Sequence, residues 1–277
     1  MPGIKDLNGK ITVITGAGSA IGRATALAFA KEGAILVISD IHKERFLPVE
    51  NELRDLGAQV TSMETDVSDH RQMAALSAMV LEKFGRVDIL HNNVGIGWGG
   101  PSEKFPVADF EKVIEVNLLS VVYGINCFLP QMIKQRSGHI VNMASAAGLT
   151  PIVPLGAFTA SKYAVVGYSE VLRAELKRHN IGVTAVCPGI INTNTKKDDN
   201  PRPLNGANSP KKIMSSFYGK YGWAPERVAK AVIKGIKKDK GIVPVGPEVW
   251  VLWSLKRTSQ TLSNLISSLT AKITFRQ

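Results

Sequence analysis

The chain has 277 residues, of which 44% are hydrophobic and 21% are charged. A chain of this length and composition can bury a core of its own, which excludes a wholly disordered protein. Its two cysteines, Cys127 and Cys187, are too few for a disulfide framework and favour a reducing compartment, so we expect a cytoplasmic protein. No Cys or His cluster has metal-site spacing, and neither a signal peptide nor an uncharged run of about 18 apolar residues is visible.

The charge is basic and unevenly distributed. The chain carries 34 Lys and Arg against 23 Asp and Glu, a net charge of +11. From Lys230 onward there are nine basic and two acidic residues, so +7 of that charge lies in the last fifth. Such a balance fits anionic cofactors, acidic membrane surfaces or a solvated basic face. Because the sequence shows no nucleic-acid recognition motif, we expect no nucleic-acid partner.

Short apolar runs alternate with helical patterns along the chain. The apolar runs are typical of buried strands and lie at 11–15, 35–39, 59–64 (the weakest), 87–91, 139–144, 182–187 and 241–245. Between them, apolar residues recur at helical spacing, as at Val49, Leu53 and Leu56. This alternation predicts an α/β fold with one doubly wound parallel sheet covered by helices on both faces.

Two segments depart from the pattern. Residues 192–221 are rich in Asn, Lys, Pro, Gly and Ser, and a long patternless stretch within a domain is typical of a substrate lid loop. A helical pattern at 225–238 follows it. The predicted domain therefore spans 1–248, with the lid at 192–221, and 249–277 form a C-terminal apolar and basic helical extension.

A glycine-rich turn follows the first predicted strand. Residues 15–22 read TGAGSAIG, and a helical pattern follows at 23–31. Glycines at such a turn let the backbone approach a pyrophosphate, which the start of the helix then binds. The alternative is an ordinary tight turn between a strand and a helix.

Asp40 ends the second predicted strand, where a carboxylate can bind both ribose hydroxyls of a dinucleotide. The same charge repels a 2′-phosphate, so Asp40 favours NAD over NADP. His42, Lys43 and Arg45 follow closely and could weaken this discrimination. The alternative is a capping or turn aspartate.

The ordered motifs resemble the short-chain dehydrogenase/reductase family over roughly residues 7–250. They are the glycine turn, Asp66-Val67, Asn92-Asn93-Val94-Gly95, Asn117, Ser145, the segment from Phe158 to Lys162, and Pro188-Gly189. The resemblance implies a Rossmann-type fold. It also implies hydride transfer between a nicotinamide cofactor and a secondary alcohol or ketone.

The resemblance assigns one set of residues to the cofactor. These are Gly16, Gly18, Ser19, Ala20, Ile21, Gly22, Asp40, Asp66, Val67, Asn93, Gly95, Lys162, Pro188, Gly189, Ile191 and Thr193. By this resemblance Asp66 binds the adenine amino group and Asn93 lines the adenosine side. Ile191 and Thr193 hold the nicotinamide carboxamide.

A second set, by the same resemblance, carries the chemistry. Ser145 donates to the substrate oxygen, Lys162 binds the nicotinamide ribose, and Asn117 anchors a water in a proton relay. Phe158 occupies the position of the family's catalytic tyrosine, four residues before Lys162 and on the same helix face. A phenyl ring can neither give nor accept the proton that alcohol–ketone interconversion requires.

No nearby tyrosine replaces the missing phenol in the sequence. Tyr163 is next to Lys162, and adjacent helical positions point about 100° apart, while Tyr168 lies too far along the helix. A second departure is Ala20, where the family has glycine and where a methyl group could crowd the phosphate turn.

Two explanations of Phe158 remain open. The chain could be an engineered Tyr→Phe variant, or a natural protein like the short-chain dehydrogenases/reductases (SDR-like) that binds a nucleotide or ligand without catalysis. We favour the first, because a chain freed from catalysis has no physical need to keep Asn117, Ser145 and Lys162.

The C-terminal extension is apolar at 249–253, and apolar residues then recur at helical spacing from Leu262 to Ile273. It could pack on its own domain, on a neighbouring subunit or on a membrane surface. In each case it could cap a pocket for a bulky apolar substrate. The resemblance also implies a homodimer or homotetramer through helices that include 105–136 and 157–178.

Overall fold

A computed structural model describes residues 3–192 and 222–274. Seven parallel strands form one sheet in the order β3-β2-β1-β4-β5-β6-β7. The strands are β1 (Ile11–Thr15), β2 (Ile35–Asp40), β3 (Val60–Glu64), β4 (Ile89–Asn92), β5 (Gly138–Met143), β6 (Ile181–Pro188) and β7 (Ile242–Val245). Each predicted strand is present, so the predicted α/β fold with a single parallel sheet is confirmed.

Nine α-helices lie in the described part of the chain. They are α1 (Ala20–Lys31), α2 (Lys43–Asp55), α3 (His70–Phe84), α4 (Val107–Ile114), α5 (Ser120–Gln135), α6 (Gly156–Leu176), α7 (Pro225–Lys237), α8 (Pro247–Thr258) and α9 (Gln260–Thr274). A π-helical turn, Glu115–Leu119, joins α4 to α5.

Helices cover both faces of the sheet. On one face, Phe29 of α1 and Val232 of α7 pack with strand residues such as Ile14. On the other, Phe128 of α5 and Val165 of α6 belong to a second cluster built on the opposite side chains of the same strands. Burial on both faces explains why the strands are continuous apolar runs instead of alternating ones.

The sheet order places a binding crevice at the end of β1. β1 pairs with β2 on one side and with β4 on the other, so the connections run in opposite directions from this point. In such sheets, ligands bind beyond the carboxyl ends of the strands at the switch point. Thr15, Asp40, Asn92 and Pro188 end four of these strands.

Strand β4 begins two residues later than the sequence predicts, at Ile89 instead of Val87. The side chain of Gln135 explains why Val87 is outside the strand, because its Oε1 accepts from the Val87 backbone N–H at 3.1 Å and its Nε2 donates to the Val87 carbonyl at 2.8 Å. Both backbone groups of Val87 are therefore bonded to a helix side chain.

The helical run Val107–Gln135 is, by length and composition alone, apolar enough to cross a bilayer. Within it, Val121, Ile125, Phe128 and Met132 are buried in the core against the sheet. The predicted lid, 192–221, lies outside the described residues except for Asn192, and it stays a prediction.

Two buried histidines predict an acid-sensitive fold. His91 on β4 is fully buried, and burial lowers its pKa to about 4. Burial likewise lowers the pKa of His139 to about 4, and Asp239 offsets this only in part. Between pH 6.5 and 4 the unfolded chain takes up protons that the folded chain refuses, so stability falls as the pH falls.

We expect His91→Leu to remove about 2 kcal/mol of this pH dependence between pH 7 and pH 4.5. Urea unfolding at pH 7 and pH 4.5 measures it, with the exposed His42→Leu as the control. An equal loss of stability on acidification in the His91→Leu and unaltered chains would show that His91 is not the responsible group.

Candidate active site

The glycine turn between β1 and α1 is tightly packed and is capped by a side chain of its own. Gly16 has φ +65°, and a Cβ there would lie 2.9 Å from Val94 Cγ2. A Cβ on Gly22 would lie 2.1 Å from the Gly16 carbonyl oxygen, so α1 packs directly on the turn. Ser19 caps the helix, accepting from the Gly22 N–H at 3.1 Å and donating to the Gly16 carbonyl at 2.8 Å.

The turn also leaves room for a ligand. Gly18, Ser19, Ala20 and Ile21 are half-buried, and the first backbone N–H groups of α1 point out along its axis. A helix N-terminus with this exposure fits a phosphate. Ala20 begins α1 regularly, so its methyl group does not distort the turn.

Gly22→Ala is expected to weaken NADH binding at least about tenfold and to lower the melting temperature, because the added methyl displaces the Gly16 carbonyl. Fluorescence titration with NADH measures the affinity. Gly167→Ala is the matched control, since a Cβ at Gly167 meets nothing within 4 Å. Equal NADH affinity in both variants would contradict the assignment of the turn to the cofactor.

Asp40 is fixed beside the glycine turn. Its carboxylate is 5% exposed and accepts from the Gly18 N–H at 3.0 Å and from the Ile41 N–H at 2.9 Å. The guanidinium of Arg45 lies 3.4 Å from the same carboxylate. The sequence placed Arg45 near this aspartate, but it gave no sign of a direct ion pair.

Asp66 and Val67 follow β3, next to the strand that ends at Asp40. Asp66 is half-buried, and its Oδ1 accepts from the backbone N–H and the hydroxyl of Ser68 at 2.9 and 2.6 Å. Val67 is buried in the core. The structure thus places Asp66 at the ligand-binding edge and orients its carboxylate.

Asn93 ties β4 to the glycine turn. Its Nδ2 donates to the carbonyls of Thr15 and Gly16, both at 3.1 Å, and its backbone N–H donates to Thr15 Oγ1 at 3.1 Å. These bonds make Asn93 a positioning residue for the turn. The sequence suggested an adenosine-lining role but contained no signal for this brace.

Ser145 follows β5 and reaches the same edge of the sheet. Its side chain is half-buried, and its Oγ accepts from the Ala147 N–H at 3.1 Å. Since the oxygen accepts this bond, the hydroxyl proton can be directed to another oxygen, such as that of a substrate.

Lys162 lies within α6, and its ammonium group extends toward Gly95 and the end of β5. Its Nζ donates to the Met143 carbonyl at 2.8 Å, and the residue is 3% exposed. Burial lowers the pKa of Lys162 to about 8, and Cys187 offsets this only in part. A Cβ on Gly95 would lie 3.1 Å from this Nζ, so glycine avoids a close contact with the ammonium group.

Asn117 lies in the π-helical turn between α4 and α5. Its Oδ1 accepts from the Ile96 N–H at 2.7 Å, and its Nδ2 donates to the Ile96 carbonyl and to Ser161 Oγ, both at 3.0 Å. Asn117 therefore fastens the loop after β4 to α6, one residue from Lys162. Single π-helical turns are frequent at functional sites.

Phe158 shares a face of α6 with Lys162, as the spacing predicts. The Lys162 Nζ lies 5.8 Å from the centre of the Phe158 ring, which is half-buried. Tyr163 faces elsewhere, because its hydroxyl is hydrogen-bonded to Lys256 of α8. The prediction that Tyr163 does not take the place of the absent phenol therefore agrees with its position.

The last predicted cofactor residues follow β6. Pro188 ends the strand, Gly189 donates its N–H to the Val245 carbonyl at 2.9 Å, and Ile191 is 4% exposed. Thr193 lies outside the described residues. The predicted residues that the structure describes therefore line one edge of the sheet, from Asp66 to Ile191.

Three residues beside this edge were missed by sequence reasoning. Trp223 Nε1 donates to Glu248 Oε2 at 3.3 Å, and the Arg227 guanidinium lies 3.9 Å from the centre of the Trp223 ring. A Cβ on Gly189 would lie 2.2 Å from Glu248 Oε1. The clearest signal in the sequence is the pair of glycines, Gly189 and Gly246, that make room for Glu248.

A phosphate-binding turn, an acidic residue after β2 and a Ser–Lys pair after β5 define a nucleotide-dependent oxidoreductase site. Comparison with known proteins agrees, because the family model for short chain dehydrogenases matches residues 10–203. The chain belongs to the short-chain dehydrogenase family, whose members bind nicotinamide cofactors.

Two curated relatives show how far the likeness extends. The "Probable oxidoreductase EphD" of Mycobacterium tuberculosis is 37% identical over 255 residues, covering 88% of this chain but only 42% of that protein. The 3-oxoacyl-[acyl-carrier-protein] reductase FabG of Thermotoga maritima is 36% identical over 227 residues, covering 82% of this chain and 90% of the relative.

Two solved structures share the fold. A short-chain dehydrogenase/reductase from Burkholderia phymatum, in complex with NAD, has a TM-score of 0.84 at 30% identity and covers 93% of this chain and 96% of its own. A metagenomic short-chain oxidoreductase in complex with NADP has a TM-score of 0.70 at 30% identity, and the match covers 87% of this chain and 98% of that protein. The two neighbours thus bind different nicotinamide cofactors.

Proposed function

We propose that this chain is an NAD-preferring oxidoreductase that interconverts a secondary alcohol and a ketone, and that Phe158 impairs it. The observation that carries the proposal is the position of Lys162. This residue is buried, and its Nζ lies 5.8 Å from the centre of the Phe158 ring. An ammonium group at that distance would lower the pKa of a phenol at this position, and the phenyl ring of Phe158 has no hydroxyl. The name of the FabG relative, a 3-oxoacyl reductase, supports a ketone as substrate.

The bound nicotinamide would supply or accept the hydride. The Ser145 hydroxyl would donate a hydrogen bond to the substrate oxygen, keeping its own proton, and so orient the carbonyl carbon. Lys162 keeps a positive charge near the reacting oxygen below pH 8, since its pKa is about 8. No proton can pass through Phe158, and this one step limits the unaltered chain.

The preference for NAD rests on Asp40. A carboxylate that is 5% exposed beside the phosphate turn repels a 2′-phosphate, because burial reduces solvent screening. Arg45 opposes this by pairing with the same carboxylate at 3.4 Å. NAD is preferred if the repulsion from Asp40 exceeds the part that Arg45 offsets.

The substrate is bulky and apolar in this proposal, and the protein is a cytoplasmic homodimer or homotetramer. The backbone of Trp223 pairs with Ile190 and Asn192, next to the predicted nicotinamide-binding residue Ile191, which supports an apolar pocket wall. Val107 and Phe110 of α4 and Val171 of α6 are 72%, 40% and 55% exposed. Exposed apolar side chains on these helices favour burial between subunits.

The alternative is an inactive SDR-like protein that binds a nucleotide or ligand. A panel of alcohols and ketones, assayed with NAD(H) on the Phe158→Tyr chain, separates the two functions. Turnover of any panel member supports the oxidoreductase. Tight NADH binding without turnover across the panel would select the binding protein.

A further inference from the structure

The last helix, α9, turns its leucines away from the protein. Ser263 is 6% exposed, whereas Leu262, Leu265 and Leu269 are 39%, 55% and 51% exposed. Positions three, four and seven apart lie on one face of a helix, so the three leucines form a single stripe. Within the described residues this stripe remains open to solvent.

The face of α9 that packs on the protein is formed by small side chains and does not include the three leucines. Ser263 is buried and Ser267 is half-buried, and Ser267 Oγ donates to the Ser263 carbonyl at 3.0 Å. The small side chains at these two positions allow close packing on α8. The helix therefore keeps its apolar stripe available for a partner.

The positive charge of the two C-terminal helices favours an anionic partner. Residues 249–274 contain three cations, Lys256, Arg257 and Lys272, and no Asp or Glu. Lys272 follows Leu269 by three positions, so it borders the stripe, and its long stem can extend to a headgroup. A second copy placed on this stripe would bring cations against cations, whereas an anionic surface would be attracted.

Exposed tryptophan on α8 adds a second feature of lipid-binding helices. Trp250 is 49% exposed, and the centre of its ring lies 5.7 Å from that of Trp253. The Arg257 guanidinium lies 5.2 Å from the centre of the Trp253 ring. Tryptophan with flanking Lys and Arg is typical of the bilayer interface. We propose that α9, together with exposed Trp250, binds the surface of a bilayer containing anionic lipids.

Co-sedimentation of the full chain with vesicles tests this proposal. We expect binding to phosphatidylcholine vesicles that contain phosphatidylserine and weaker binding to phosphatidylcholine alone. The double variant Leu265→Gln, Leu269→Gln should bind the anionic vesicles at least about tenfold more weakly. Lys272→Glu should weaken that binding about tenfold and leave binding to neutral vesicles unchanged.

Leu56→Gln is the matched control, because Leu56 is a 54% exposed leucine at the end of α2. It should bind vesicles as the unaltered chain does, and all variants should keep the same melting temperature. Failure of the unaltered chain to bind anionic vesicles overturns the proposal. A smaller oligomer in the double variant, measured by light scattering, also overturns it, since the stripe would then be a subunit contact.

Discussion

Phe158→Tyr is expected to raise turnover on a good alcohol or ketone substrate by about two to four orders of magnitude. The substitution adds one hydroxyl to a ring already placed 5.8 Å from the Lys162 Nζ. The ammonium group favours the phenolate and lowers the pKa of the new phenol, which can then carry the proton. Steady-state assays with NAD(H) on both chains measure the gain.

Tyr163→Phe is the control for this gain, since it removes a hydroxyl that is bonded to Lys256 and not to the site. Made in the Phe158→Tyr chain, it should leave turnover unchanged. In the same background Ser145→Ala should cost most of the gain. Full activity of the unaltered chain, with no increase from tyrosine, would mean that another group transfers the proton.

Asp40→Ala is expected to shift cofactor preference toward NADPH by at least about tenfold, or ~1.4 kcal/mol. Removing the carboxylate ends the repulsion of a 2′-phosphate. It also releases Arg45, whose Nε lies 3.4 Å from the Asp40 carboxylate, to pair with that phosphate. Asp40→Arg should shift the preference further. The ratio of NADH and NADPH dissociation constants measures both changes.

Asp55→Ala, at an exposed aspartate that ends α2, should leave that ratio unchanged. The double variant Asp40→Ala, Arg45→Gln should lose part of the gained NADPH affinity. Tighter binding of NADPH than of NADH by the unaltered chain would contradict the role assigned to Asp40.

The sequence predicted the sheet well because each strand is a continuous apolar run between helical patterns. Strand β1 has the predicted limits, and β2, β3, β5, β6 and β7 differ by one residue at one or both ends. The exclusion of Val87 from β4 arose from Gln135, which is 48 residues away in sequence. Local patterns carry no information on such a long-range bond.

The site was predictable where a motif requires a particular backbone. Gly16 and Gly22 are required by close contacts with Val94 and with the turn itself, and such glycines are visible in a sequence. The pairing of Arg45 with Asp40 and that of Trp223 with Glu248 depend on side-chain directions after folding. The direction of the α9 leucines is a similar case, because periodicity finds a stripe but not the side to which it turns.

Isotope transfer tests the central claim most directly, namely that this edge of the sheet is a hydride-transfer site lacking only its proton carrier. The Phe158→Tyr chain would be given NADH carrying deuterium at the transferable position of C4, together with the ketone panel. Mass spectrometry of the alcohol product then locates the label. We expect deuterium on the carbinol carbon, and we expect the unaltered chain to form this labelled alcohol much more slowly. Tight NADH binding by both chains, with no labelled alcohol from either, would contradict it.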